Sequence, residues 1–216
     1  MNMENIDKII AEQMIKVNAA TFSVAQPYIL PSGLQSPVYT DNRRLLAYPS
    51  VRKTITKAFI DVINENFSDV EIIAGVATGA VAWGTMVAEE LGKPFVFVRP
   101  RARDLGKEPK VEGVIERNQK VVIIEDLISS GKSSLVTAEA LHASGAIILG
   151  MVALFSYNFA TTRRNFEYAN IELHTLCNYE QLLDQALAQG IIKESDIDTL
   201  KEWSINPTTW RGIKEQ

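Results

Sequence analysis

The chain is poor in cysteine, in histidine and in long apolar runs. Its single cysteine, Cys177, excludes an internal disulfide framework and fits a reducing compartment. It lies beyond the apolar run Ile171–Leu176 and reads as a packed thiol, not a catalytic one. The two histidines, His142 and His174, fall on a predicted helix and a predicted strand. Neither has a metal-spaced or catalytic partner nearby, so both read as structural. No apolar run approaches ~18 residues, which excludes a membrane-spanning helix. The first eight residues carry acids and no apolar core, unlike a signal peptide, so a cytoplasmic location is expected. Positive charge is not in excess: 22 Lys and Arg face 26 Asp and Glu, for a net charge of -4. No global attraction to nucleic acid or to an anionic membrane follows. There is no internal repeat, no low-complexity tract and no linker long enough to separate independent domains. What remains is a 216-residue chain, 46% hydrophobic, able to bury a sizeable core in one large domain with or without a small addition.

Along the chain, Ile6–Val17 sets Ile6, Ile9, Ile10, Met14 and Val17 on one helical face. Residues 22–44 carry short apolar pairs punctuated by Pro27, Pro31, Gly33 and Pro37, which predicts turns and short strands in a small subdomain. Ser50–Asn64 reads as a helix with Ser50 as a candidate N-cap. Buried strands are expected over Glu71–Gly75, Phe95–Val98 with Arg99 at its end, Val121–Ile124, Ile147–Tyr157 and Ile171–Leu176. Helices alternate with them: one ending near Leu91–Gly92, then Leu135–Leu141, Thr161–Ala169, Asn178–Gln189 and Ser195–Trp203. In the last of these, Ser195-x-x-Asp198 resembles a capping box. Residues 99–113 read as a polar loop. Alternation of strand and helix implies a mostly parallel, doubly wound α/β sheet flanked by helices.

One stretch combines strand, charge and turn. Val121-Val122-Ile123-Ile124 is followed by Glu125-Asp126, then Leu127-Ile128-Ser129-Ser130-Gly131-Lys132-Ser133-Ser134. Acids at the carboxyl end of a parallel strand stand where open α/β sheets bind ligands. Small residues at the following helix start leave backbone N–H groups open to an anion. A P-loop would need glycine five residues before Gly131; Asp126 stands there, and its charge would repel phosphates. Paired carboxylates are better matched to sugar hydroxyls, which donate hydrogen bonds to them. The pattern therefore points to a phosphorylated sugar.

This stretch resembles the binding signature of type I phosphoribosyltransferases, which hold 5-phosphoribosyl-1-diphosphate (PRPP). The resemblance implies that Glu125 and Asp126 hold the ribose, and that PRPP binding continues through Leu127 and Ile128 and the phosphate loop of Ser129, Ser130, Gly131, Lys132 and Ser133. Thr78 and Gly79, at a second small-residue corner, would contact the diphosphate. Residues 99–110 carry five basic and two acidic side chains, in a protein that is acidic as a whole. Such local charge suits a diphosphate that gains charge as it departs, and a mobile lid is the functional reading.

Further similarity, over about residues 5–211, is to the orotate phosphoribosyltransferases. It rests on Ser32-Gly33-Leu34-Gln35-Ser36-Pro37-Val38-Tyr39-Thr40-Asp41-Asn42-Arg43, on Ile73–Thr78, on Glu125–Gly131, and on Phe155-Ser156-Tyr157 with Asn178-Tyr179. The implied fold is the type I phosphoribosyltransferase fold: a core over about 50–177, an N-terminal hood over about 18–45 and C-terminal helices over 178–216. The implied partners are PRPP and orotate, with Mg²⁺ chelated mainly by substrate oxygens. A homodimer is implied, in which the basic loop serves the neighbouring subunit, and no nucleic acid or membrane partner. Arg99 would bind PRPP, and Arg103, Lys107 and Asp126 would carry catalysis. Ser129, Tyr39, Arg43 and Tyr157 would meet orotate. This chain departs from the family pattern where Arg103 replaces a loop lysine, Leu105 a loop histidine, and Gln35 a common lysine. A PRPP-binding regulator of the same fold, or transfer to another base, stands as the alternative.

Overall fold

The computed structural model describes residues 5–30, 33–99 and 110–211. In chain order, helix α1 (Ile6–Lys16) precedes four short strands: β1 (Ala20–Phe22), β2 (Tyr28–Ile29), β3 (Gln35–Ser36) and β4 (Val38–Thr40). A 3-10 turn (Asn42–Ala47) leads into α2 (Pro49–Asn66), β5 (Ile72–Val76), α3 (Val81–Leu91), β6 (Phe95–Arg99) and β7 (Lys110–Glu112). Then follow β8 (Lys120–Ile128), α4 (Lys132–Ala143), β9 (Ile147–Ser156), α5 (Ala160–Ala169) and β10 (Leu173–Asn178). Helix α6 (Tyr179–Ala188), a 3-10 turn (Glu194–Asp196) and α7 (Ile197–Ile205) close the chain. No helix among the described residues is long and apolar enough to cross a membrane.

Two compact units divide the chain: residues 49–176, and residues 1–48 together with 177–216. The larger is built on a six-stranded sheet of order β10-β9-β8-β5-β6-β7. Strand β5 pairs in parallel with β6 and with β8, and β8 pairs in parallel with β9. Ile72, Ile73 and Val121–Ile124 lie at zero exposure, as strands covered on both faces must, whereas β9 opens at the surface with Ile147. Helix α2 packs with α3, and α4 with α5, against the sheet. The chain leaves β5 toward β6, but leaves β8 toward β9 in the opposite direction. The winding therefore reverses between β5 and β8, the place where sheets of this class open a crevice at their carboxyl ends.

Four local expectations are corrected. Helix α2 begins at Pro49, so Ser50 lies inside the first turn and is not its N-cap; proline suits that first position, where no N–H bond is required. Strand β8 runs on through the acid pair, because it keeps its pairing with β9 as far as Ile128↔Ser156. The expected loop over 99–113 ends in strand β7, antiparallel to β6 with Arg99 opposite Lys110. Ser195 lies within a 3-10 turn, and the Asp196 carboxylate instead accepts the Lys193 N–H at 2.9 Å.

In the other unit, β1 pairs with β4 and β2 with β3, both antiparallel. Helix α1 packs on α6, and the Gln181 amide of α6 donates to Asp7 of α1 at 2.8 Å. A capping box, with Asn178 and Gln181 exchanging side-chain bonds, starts α6. Trp203 packs on Tyr179 at 5.3 Å and donates its indole N–H to the Gln35 carbonyl at 3.2 Å. Cys177 is fully buried, and burial, with Asp7 adding, pushes its thiol pKa far up.

Candidate active site

The switch point brings two sequence-predicted segments together. Pairing between β5 and β8 stops at Gly75↔Ile124, so β8 beyond Ile124 keeps β9 on one side and loses β5 on the other. The chain after β5 turns away there through Thr78 and Gly79, and the Ala77–Thr78 peptide bond is cis. Gly79 lies so close to the Asp126 carboxylate that a side chain at 79 would collide with it. A bare backbone at 79 leaves the acid in this position; a Cβ would displace the carboxylate.

The two acids differ. Glu125 is buried, 4% exposed, and both its oxygens have internal partners. Oε1 accepts the Asp126 N–H at 2.9 Å, and Oε2 meets the Ser134 hydroxyl of α4 at 2.7 Å. Burial first, and then the neighbouring Asp126 charge, push the Glu125 pKa up to about 8, against the pull of the Ser134 hydrogen bond. Asp126 is half-buried and faces Gly79. Glu125 thus stands behind Asp126 as a largely neutral group near pH 7, while Asp126 faces the Gly79 turn at the switch point.

Beyond β8 the chain bends through Ser129, exposed, and Ser130, half-buried, to Gly131 at φ 77°. Only glycine takes that angle readily. Helix α4 starts immediately after, with exposed Lys132 and Ser133 in its first turn, where N–H groups have no intrahelical acceptor. The Tyr157 N–H bonds the Ile128 carbonyl at 3.0 Å, which sets Tyr157 beside the end of β8; its ring stacks on Phe159 at 5.3 Å. Ile128 is fully buried in the sheet and Leu127 half-buried, so their side chains serve the core or its border.

The remaining predicted residues lie elsewhere. Arg99 ends β6 and bonds Glu112 of β7, with Lys110 3.3 Å from the same carboxylate. The Arg99 hydrogen bond, and then that of Lys110, lower the Glu112 pKa. Tyr39 and Arg43 belong to the other unit. Tyr39 packs on Tyr28 at 5.8 Å, and Arg43 pairs with Asp41 at 2.7 Å, holding that carboxyl below its usual range. Arg103, Leu105 and Lys107 lie outside the described residues.

Three polar residues at this corner escaped the sequence reading: Ser134, Thr162 and Asn165. Ser134 carried a signal, since it shares the apolar face of α4 with Ala138 and Leu141; a hydroxyl on a buried face needs a partner. Thr162 and Asn165 of α5 bond the Ser129 and Ser130 carbonyls across more than thirty residues of sequence, and no local pattern announces such a contact. Among the described residues no group of three or more His, Cys, Asp or Glu side chains is arranged to hold a metal ion.

The acid pair at the winding reversal and the glycine-led start of α4 lie within the part of the chain that a family model matches. Residues 41–174 match the family described as the phosphoribosyl transferase domain. An orotate phosphoribosyltransferase of Porphyromonas gingivalis is 46% identical over 208 residues, covering 96% of this chain and 99% of that protein. One from Phocaeicola vulgatus is 43% identical over 212 residues, 98% of this chain and all of that protein. The crystal structure of orotate phosphoribosyltransferase from Aeropyrum pernix superposes with a TM-score of 0.74 at 26% identity, over 82% of this chain and 97% of that one. The chain belongs to the phosphoribosyltransferase family, in its orotate phosphoribosyltransferase branch.

Proposed function

We propose that the protein transfers the phosphoribosyl group of PRPP to orotate, giving orotidine 5′-phosphate and diphosphate in pyrimidine nucleotide synthesis. The observation that carries this reading is Asp126 set against the Gly79 loop at the switch point, in a chain 46% identical to a protein named for that activity. In this reading Asp126 accepts hydrogen bonds from the ribose hydroxyls, with buried Glu125 fixing its backbone. The 5-phosphate lies on the amides and hydroxyls of Ser129, Ser130, Gly131, Lys132 and Ser133. The diphosphate lies on the backbone of Thr78 and Gly79, with Arg99 at the carboxyl end of the neighbouring strand β6.

The bond from C1 of the ribose to the diphosphate oxygen breaks, and its electron pair leaves with the diphosphate. An orotate ring nitrogen forms the new bond to C1, and the proton it gives up is taken by the diphosphate oxygen that C1 has released. The transition state resembles an oxocarbenium ion, as in glycosyl transfer. Protein side chains therefore position the two substrates and stabilise the departing charge. Arg103 and Lys107 are assigned to that charge, and Ser129, Tyr39, Arg43 and Tyr157 to orotate. The half-buried Asp126 carboxylate beside the Gly79 turn fits Mg²⁺ brought in on substrate oxygens, and the ion would supply charge neutralisation for the leaving group. The reading extends to a cytoplasmic homodimer whose basic segment serves the partner's site.

The test is incubation with PRPP, Mg²⁺ and either orotate or a purine, following orotate absorbance and diphosphate release. Consumption of orotate is expected; turnover of a purine with none of orotate would replace this assignment.

A further inference from the structure

Helix α5 touches the phosphate loop through three side chains spaced i, i+3, i+4. Thr162, 1% exposed, donates its hydroxyl to the Ser129 carbonyl. Asn165 donates its amide to the Ser130 carbonyl at 2.8 Å. The Phe166 ring stands where a Gly131 side chain would go, 2.6 Å from the position of such a Cβ. One helix face thus holds three consecutive loop residues. In a helix otherwise polar and exposed, a threonine ordinarily bonds the carbonyl four residues back and an asparagine faces water. Here both reach a loop 33 and 35 residues away in sequence.

The peptide bonds of this loop are trans. In a trans peptide the carbonyl and the next N–H point in opposite directions. With the Ser129 and Ser130 carbonyls drawn onto α5, the N–H groups of Ser130 and Gly131 face away from it. Neither has an acceptor among the described residues. They continue into the first-turn N–H groups of α4, which lack intrahelical partners. The result is a row of donors on one side of the loop and its carbonyls on the other. A carbonyl released from α5 and turned toward an anion would remove a donor and add repulsion.

We propose that Thr162 and Asn165 are positioning residues that orient the loop amides for the 5-phosphate of the substrate, an inference that rests on the functional reading above. They act through the loop and make no contact with the reacting atoms.

The test compares wild type with Thr162→Val, Thr162→Ser, Asn165→Ala and Asn165→Asp, titrating each with ribose 5-phosphate and measuring KM for PRPP and for orotate. Thr162→Val and Asn165→Ala should each weaken ribose 5-phosphate and raise KM for PRPP by roughly three- to tenfold, the worth of one hydrogen bond. KM for orotate should stay within about twofold in Asn165→Ala, which frees Ser130 and leaves Ser129, the loop residue assigned to orotate, held by Thr162. Thr162→Ser keeps the hydroxyl and should restore binding. Asn165→Asp should be weaker than Asn165→Ala, because a carboxylate cannot donate to the Ser130 carbonyl. The inference is overturned if Thr162→Val and Asn165→Ala bind ribose 5-phosphate as wild type does. Equal weakening of orotate and PRPP in Asn165→Ala, or failure of Thr162→Ser to restore binding, overturns it as well. Should Thr162→Val not fold, Asn165→Ala, at a half-buried position, carries the same comparison. A wild type that binds neither PRPP nor ribose 5-phosphate would remove the functional reading itself, and this inference with it.

Discussion

Replacing Glu125 by glutamine should stabilise the substrate-free protein, and increasingly so as pH rises. The carboxyl is buried, and its pKa stands at about 8 against an ordinary 4.5. Between these values the folded protein holds a proton that the unfolded chain has released. Stability must then fall with pH, by up to about 1.4 kcal/mol per pH unit, because the native state binds more protons than the unfolded one. The contribution is fully present below pH 4.5, declines through the interval and is exhausted above about 8. The whole interval is worth on the order of 5 kcal/mol. Relaxation around the ionised group reduces this, and about 2–3 kcal/mol is expected between pH 5.5 and 8. Glutamine has the shape and hydrogen-bonding capacity of the protonated acid. Its oxygen can accept the Asp126 N–H, and its amide can donate to Ser134 Oγ. Because glutamine does not titrate, its stability curve should lack this slope, and contributions common to both proteins cancel in the difference. Urea denaturation of wild type and Glu125→Gln at half-unit intervals from pH 5.5 to 8.5 measures it. Parallel curves would mean that the carboxylate is already ionised in the fold, and would refute its assignment as a neutral backing group.

Asp126→Asn should lower kcat/KM for PRPP by about a hundredfold, because a neutral amide replaces charge-assisted bonds to hydroxyls; steady-state kinetics with unchanged melting temperature would check it. Gly79→Ala forces a methyl group into the Asp126 carboxylate, so PRPP binding should weaken at least tenfold and stability fall by about 1–3 kcal/mol, read by titration calorimetry and thermal melting. Arg103→Ala or Lys107→Ala should lower kcat by about tenfold or more while leaving KM for orotate little changed; full turnover in both variants would take these cations out of the chemistry.

Much of the core was legible because it obeys simple periodicity. Val121–Ile124 reads as a doubly covered strand and is one. Phe95–Arg99 coincides with β6, and Gly92 ends α3 in the left-handed conformation expected of a helix stop. The corner formed by Gly79, Asp126 and Gly131 was also visible, since bare backbone and paired charge are conspicuous among apolar strands. Tertiary pairing hid the rest. Two acids after an apolar run look like the end of a strand, yet β9 keeps pairing with β8 past them and takes Glu125 out of water. Charged and turn-forming residues disguised β7, whose ladder exists only because β6 lies beside it. Thr162 and Asn165 read as ordinary helix residues, because the loop they hold is remote in sequence.

The buried thiol at residue 177 gives the molecule a built-in clock. A thiol reagent reacts with the thiolate and needs access to the sulfur. Cys177 offers neither, being fully covered with its pKa driven up. Alkylation must therefore wait for the packing around Cys177 to open. With one sulfhydryl in the chain, the labelling rate counts those excursions directly, without an introduced probe, and any compound that favours the closed form will slow it in proportion to its occupancy.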